Sequence, residues 1–383
     1  MHIFRRVYIL LLFTFCITFQ AFGQESSSQD SISFGFLPAL SYNSDFGLIL
    51  GGLGSRYHYK ENSTPFYSYY NIAAVLSTKG LASIRLLTDK PNAFNKDIRV
   101  TNTLFLSRFF EDNYFGIGNY DKITDTPEGL PDFYNFQSFS VGFRNIVRFP
   151  LIKSETSKQL DINTIINLGY ETPWDNDSDR LISSSQPLGV EGGRTFMVGV
   201  GMVWEGRNHE FRPSKGNYLE TSFEIGQKFW GSSFNNSIFK FDARQYLSFF
   251  LIREITFANR ILFNHTNGQT PYWQLSFAGD EETLRGFESK RFLDDNSIIY
   301  NTELRTWLFD IESIETKIGG TLFFDTGRTF PNGMSLSSVT SDLKYSFGFG
   351  GLVSLFTPDF IVRTDFGFSE EGLGVYFTSG FMF

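Results

Sequence analysis

The run SIIYNTELRTWLFD at residues 297–310, followed by ETKIGGTLFFDTG at residues 315–327, sorts its side chains by parity. In the first segment Ile298, Tyr300, Thr302, Leu304 and Leu308 share one face of an extended strand, and Asn301, Glu303, Arg305 and Trp307 share the other. In the second, Ile318, Gly320, Leu322 and Phe324 oppose Thr321, Phe323 and Asp325. Successive side chains of a strand point to opposite faces, so each segment predicts a strand with one apolar and one charge-bearing side. A bilayer makes this demand of a barrel strand, because a lipid-facing Arg or Lys near the midplane costs ~2–4 kcal/mol. The glutamate, arginine and aspartate therefore point into a lumen.

The same reading extends outward in both directions. Period-two alternation bounded by Gly, Asn, Asp, Ser and Pro predicts strands at 32–41, 46–60, 65–78, 80–89, 96–110, 133–149, 158–171, 193–206, 216–229, 235–250, 252–266, 297–310, 315–327, 341–356, 359–369 and 373–383. In the segment 235–250, Lys240, Asp242 and Arg244 sit inward and Phe239, Phe241, Leu247 and Phe249 outward. The total is even, which puts both ends of a single-chain barrel on the same side. The long connections, 111–132, 172–192, 267–296 and 328–340, all follow odd-numbered strands, whereas even-numbered connections are mostly short. Long extracellular loops and short periplasmic turns have that signature. The fold expected is all-β: a 16-stranded antiparallel transmembrane barrel over residues 32–383.

Composition agrees. The chain holds 46 Phe, 17 Tyr and 5 Trp beside 35 Gly, and the aromatics alternate with polar residues instead of running together as a buried soluble core would have them. At the start, Arg5 and Arg6 precede an apolar run from Val7 to Phe15 and then Ala21-Phe22-Gly23, the charged, apolar and small-residue regions of a cleaved signal peptide at 1–23. The run is shorter than the roughly 20 residues of a spanning helix. A short periplasmic segment, 24–31, would lead into the barrel. Cys16, the one cysteine, leaves with the signal, so no disulfide and no Cys-ligated metal site is expected. Net charge is −8, or −10 without Arg5 and Arg6, and no basic stripe offers itself to nucleic acid.

Gly-Asp-Glu-Glu-Thr-Leu-Arg-Gly-Phe at residues 279–287 resembles the sixth-loop motif of the Omp85, or bacterial surface antigen, family of outer-membrane barrels, as in its BamA/TamA-like members. Its position in the sixth long-end connection fits. Glu303-Leu304-Arg305 resembles the family's twelfth strand, and Phe324-Asp325-Thr326-Gly327-Arg328 its Phe-x-Asp-x-Gly motif in strand thirteen. Gly206-Arg207-Asn208 with Pro213-Ser214-Lys215-Gly216 is similar to the family's Asp-x-Arg-Asp and Pro-x-x-Gly turn, with Glu205 where Asp is usual. Leu37-Pro38 and Gly51-Gly52 are similar to its barrel opening. The resemblance implies that the sixth extracellular loop folds into the lumen, where Arg285 bonds Asp325 with Glu303 nearby, Gly286 allows a tight turn, Phe287 packs, and Gly327 completes the strand motif. Such a latch would either stabilise the plug or take a direct part in gating.

A lateral seam between the first and last strands is the other implied feature. Gly35 and Pro38 weaken the first strand, since Pro lacks the N–H for ladder pairing; the other reading is that Pro38 trims a strand end. The last strand is expected to place Val375, Phe377, Ser379, Phe381 and Phe383 on one face, an aromatic ending that resembles the barrel-assembly signal. Fewer than ten residues separate Gly23 from the first strand, too few for the family's periplasmic POTRA domains. A barrel without them would use a separate periplasmic subunit, self-association, or no soluble client at all.

These readings predict an outer-membrane protein of a Gram-negative bacterium that assembles, inserts or translocates membrane proteins or lipids; the alternative is a passive channel or structural barrel. Its partners are outer-membrane lipid and barrel-protein or lipid clients. No enzyme is expected: His58, His209 and His265 assemble no base with a nucleophile. No cofactor or metal is expected either, because Asp175, Asp177 and Asp179 lack the Gly and Glu that a calcium loop needs.

Overall fold

All sixteen predicted strands form. The computed structural model describes residues 30–44, 46–60, 66–120, 130, 132–153, 158–174, 177–312, 316–354 and 361–383. The signal peptide at 1–23 and residues 24–29 of the expected periplasmic segment lie outside the described residues, and the first strand starts at Asp30, inside that segment. In chain order the strands are β1 (Asp30–Asn43), β2 (Gly47–Lys60), β3 (Ser68–Ser77), β4 (Leu81–Lys90), β5 (Arg99–Asn113), β6 (Asn135–Lys153), β7 (Gln159–Pro173), β8 (Gly193–Glu205) and β9 (Gly216–Gly226). They continue with β10 (Asn236–Phe250), β11 (Glu254–Gly268), β12 (Ser276–Ala278), β13 (Phe292–Asp294), β14 (Asn296–Ile311), β15 (Thr316–Phe330), β16 (Lys344–Ser354), β17 (Ile361–Ser369) and β18 (Gly372–Ser379). Every strand except β12 and β13 joins one closed antiparallel barrel in which chain neighbours pair, and β11 pairs with β14 across the sixth long connection.

The two short strands form a separate two-stranded sheet packed against the inner side of the wall at β14 and β15. Alternation could not predict them: three residues are too few to show a period, and their faces are both buried. Two single-turn helices, Leu181–Ser185 and Leu336–Val339, also lie in long-end connections.

Parity places the side chains. Leu50, Leu76, Ile84, Leu104, Ile166 and Leu322 stand exposed on the outer face, while Asp161, Glu224, Asp242, Glu303 and Asp325 are buried on the inner one. One apolar cluster, Tyr114, Phe136, Ile182, Tyr272, Leu275 and Leu293, packs the long-loop end. Another, Ala278, Leu284, Phe287, Phe292 and Ile299, carries the sixth connection inside the barrel.

The C-terminus departs from expectation. β18 ends at Ser379, Gly380 turns the chain at φ +81°, and residues 381–383 leave the sheet. Phe383 is buried against Tyr246, with ring centroids 6.4 Å apart, and Arg305 donates to its carbonyl at 2.9 Å. Phe381 lies over the Arg305 guanidinium at 4.2 Å. Phe381 and Phe383 therefore do not continue the outer face of Val375 and Phe377, nor do they pair at the seam. A cation and an aromatic bed inside the barrel draw the tail inward, and alternation carries no signal for such a partner.

Candidate functional site

Arg285 sits at the centre of the sixth connection with its side chain wholly buried. Its Nε and Nη2 donate to the two oxygens of Asp325 at 2.8 and 2.9 Å, a bidentate fork. Its Nη1 donates to Glu303 Oε1 at 2.7 Å and to Asp365 Oδ2 at 3.0 Å. The guanidinium also lies on the Phe323 ring, 3.4 Å from the centroid, a cation–π contact. β14, β15 and β17 each supply one carboxylate, because inward positions on paired strands come into line: Asn301 faces Asp325, and Gly350 of β16 bridges Thr321 to Asp365.

Charges balance in this cluster. Glu303 accepts from Arg305 at 2.7 Å, and Arg363 lies 3.0 Å from Asp365. Three cations, Arg285, Arg305 and Arg363, thus face three carboxylates. Burial works against the Arg285 charge, but Asp325, Glu303 and Asp365 outweigh it and hold its pKa above the ordinary value.

The backbone around Arg285 is fixed as closely as the side chain. Gly286 adopts φ +92°, a left-handed conformation that L side chains rarely take. A Cβ there would come within 3.0 Å of the Gly367 carbonyl, and one on Gly367 would meet Arg285 at the same distance. Gly286 N–H donates to the Tyr376 hydroxyl at 2.9 Å, and Ser369 Oγ donates to the Gly286 carbonyl at 2.6 Å. Phe287 packs edge-on against Phe292.

Further ties reach around the wall. Asn301 donates to the Thr283 carbonyl at 2.7 Å, and Arg260, held by Asp242, donates to the Glu282 carbonyl at 3.0 Å. Lys290 pairs with Asp112 of β5 at 3.0 Å, and Arg291 with Glu371 at 2.7 Å. The loop is bolted to β5, β11, β14, β15, β17 and the β17–β18 turn. Asp280, inside this loop, is pushed up to about 8 by burial and then by the neighbouring Glu281.

Arg285, Gly286, Phe287, Glu303 and Asp325 are thus brought together. Gly327 stands apart from the loop, in β15 where a Cβ would lie 2.4 Å from the Ile298 carbonyl of β14. Sequence reading missed Asp365, Arg363 and Tyr376, and gave Phe323 a lumen-facing position without its contact to Arg285. Asp365 was accessible by parity, since Arg363, Asp365 and Gly367 alternate with Val362, Thr364 and Phe366 in β17. At the β8–β9 turn Arg207 forks onto Glu205 at 2.8 and 2.5 Å, and Asn208 accepts from the Ser214 and Lys215 amides at 3.0 Å.

The seam is the second feature. β1 pairs with β2 over all fourteen of its residues, including Gly35 opposite Ser55 and Pro38 opposite Gly52. With β18 it shares one paired position among the described residues, Asn43 opposite Tyr376. Ser44 N–H donates to the Val375 carbonyl at 3.0 Å, and Val375 N–H to Ser44 Oγ at 2.8 Å.

The sequence profile of the Omp85 superfamily domain matches residues 83–383. The chain belongs to the Omp85 superfamily. Among solved structures it is similar to BamA from Haemophilus ducreyi lacking POTRA domains 1–3, at TM-score 0.59 and 12% identity, over 93% of this chain and 70% of that one. It is also similar to CdiB from Acinetobacter baumannii, at TM-score 0.58 and 12% identity over 92% and 65%, and to CdiB from Escherichia coli, at TM-score 0.60 and 12% identity over 93% and 63%. The chain spans less than two thirds of either CdiB. At this identity the likeness is one of fold. Among curated proteins none matches the sequence.

Two outcomes are expected from the latch geometry. Asp365→Ala leaves buried Arg363 short of a carboxylate and should cost ~3–5 kcal/mol in urea unfolding of the detergent-solubilised barrel. Asp365→Asn combined with Arg363→Gln should recover part of that loss, and strict additivity of the two single variants would contradict the pairing. Asp280, whose folded pKa is raised, contributes stability that is complete below its unfolded value and lost as pH rises through about 8. Protection of the amides across 279–291, corrected for intrinsic exchange, should therefore fall as pH rises from about 4 to about 8 and change less in Asp280→Asn.

Proposed function

We propose that the protein is an outer-membrane barrel that inserts or translocates membrane proteins or lipids through the β1/β18 seam, with the Arg285 loop plugging the lumen. The long-loop end faces outward from the cell and the short-turn end faces the periplasm. Superfamily membership and the barrel likeness to BamA and CdiB support the outer-membrane setting.

One observation carries the reading: among the described residues, β1 has a full partner on one side and a single paired position on the other. An unpaired strand edge is a template for another chain, and main-chain pairing to such an edge gives affinity independent of client sequence. Ile32, Phe34 and Phe36 are exposed along this strand, so an apolar client strand or an acyl chain would meet a matching surface. A separate periplasmic subunit, or a second copy of the chain, would deliver the client to the short-turn end.

A Ser44→Cys/Val375→Cys pair tests this, since Cys16 is the chain's one native cysteine. In liposomes, the reduced double variant should speed the folding of a second, urea-unfolded outer-membrane barrel, and oxidation should slow it about tenfold, the rate equivalent of ~1.4 kcal/mol. Equal rates in both redox states would remove the seam from the mechanism. No acceleration by the wild type would leave a passive channel or structural barrel.

A further inference from the structure

Four cationic or titratable side chains share the outer face at the short-turn end of β2–β4. Arg56, His58 and Lys60 occupy the same parity as exposed Leu48 and Leu50, and Lys90 the same parity as exposed Ile84 and Leu86. A bilayer barrel places cations outward at a cost that falls toward zero at the interface, so this cluster marks a polar boundary.

The cations converge. Lys60 Nζ lies 4.2 Å and Lys90 Nζ 5.1 Å from the centroid of the Tyr67 ring, so a single aromatic gathers both ammonium groups. His58 meets the same ring edge-on at 5.1 Å, and Arg56 lies over Tyr70 at 5.6 Å. The carboxylate next to Lys90 in sequence, Asp89, also lines the groove beside Lys90, but its charge is met by a fork from Arg99 at 3.0 and 2.6 Å.

Beside Lys90 a groove of about 200 Å³ opens, with Tyr70, Thr88, Asn102, Val100 and Phe94 among its lining. Thr88 and Asn102 bond each other at 3.0 Å, and Asn145 donates to Asn102 at 2.7 Å, giving the outer face a polar ladder at this level. The volume is below the ~300–1,000 Å³ of a site that encloses a whole ligand. It suits a headgroup whose remainder lies elsewhere. Directly above, toward the long-loop end, the same face presents Ile72, Ile84, Leu86, Leu104 and Leu106, all exposed. Cations at the boundary, a small polar groove and an apolar track beyond it match an amphipathic anion.

We propose that this face binds an anionic phospholipid of the periplasmic leaflet, with Lys60 and Lys90 holding its phosphate, Thr88 and Asn102 meeting the headgroup, and the acyl chains lying along Ile72, Leu86 and Leu104. Lys60 stands on β2, the neighbour of β1, while Thr88 and Asn102 stand on β4 and β5. The inference rests on the membrane-spanning reading above but not on client handling.

Native mass spectrometry of the full chain, released from micelles doped with phosphatidylglycerol, tests it. Wild type should retain one phosphatidylglycerol, and Lys60→Gln/Lys90→Gln should bind it about 30-fold more weakly, from the attraction a lysine exerts on an anionic surface. Lys228→Gln, at the long-loop end, should leave retention intact. Equal retention by the double variant, equal retention of zwitterionic phosphatidylcholine, or displacement by millimolar inorganic phosphate would each overturn the site as drawn. Insertion into liposomes and heat-modifiable gel mobility, read on the same preparations, separate loss of this site from failure of the barrel itself.

Discussion

A guanidinium removed from water inside a barrel is the constraint around which the rest of this structure is arranged. Arg285 alone would be intolerable in that position, because an unpaired buried charge costs several kcal/mol. Asp325, Glu303 and Asp365 neutralise it, and Arg305 and Arg363 neutralise what those carboxylates leave over. The cluster is all-or-none: withdrawing the loop strands three acids with two bases. Gly286 and Gly367 bring two backbones within 3.0 Å of where a Cβ would be, so the fork reaches its partners in one geometry only. The buried tail shares the network, since Arg305 holds both Glu303 and the Phe383 carbonyl.

The seam contrasts with this bolt. A hydrogen bond contributes ~0.5–1.5 kcal/mol net, so the few bonds joining Ser44 and Asn43 to β18 hold the barrel shut far less firmly than the fourteen-residue ladder between β1 and β2.

The wall was legible because a bilayer imposes the strand period and the sign of each face: Glu303 and Asp325 could be assigned inward from residues 297–327 alone. The loop motif then named Arg285, Gly286 and Phe287. Asp365 escaped because no motif marked it, although its parity in β17 was readable. β12 and β13 escaped for want of length, and the inward turn after Gly380 because its partners, Tyr246 and Arg305, are more than seventy residues away. Gly35 and Pro38 carried the expectation of weak pairing with the last strand; both pair with β2, and with β18 the first strand shares one position among the described residues, Asn43 opposite Tyr376.

Single-channel conductance in planar bilayers, for wild type and Arg285→Ala, tests most directly whether the buried Arg285 fork keeps the lumen shut. Low, noisy wild-type conductance that rises in the variant is the expected result. A large, steady wild-type pore indifferent to the substitution would contradict the latch and leave a porin-like channel.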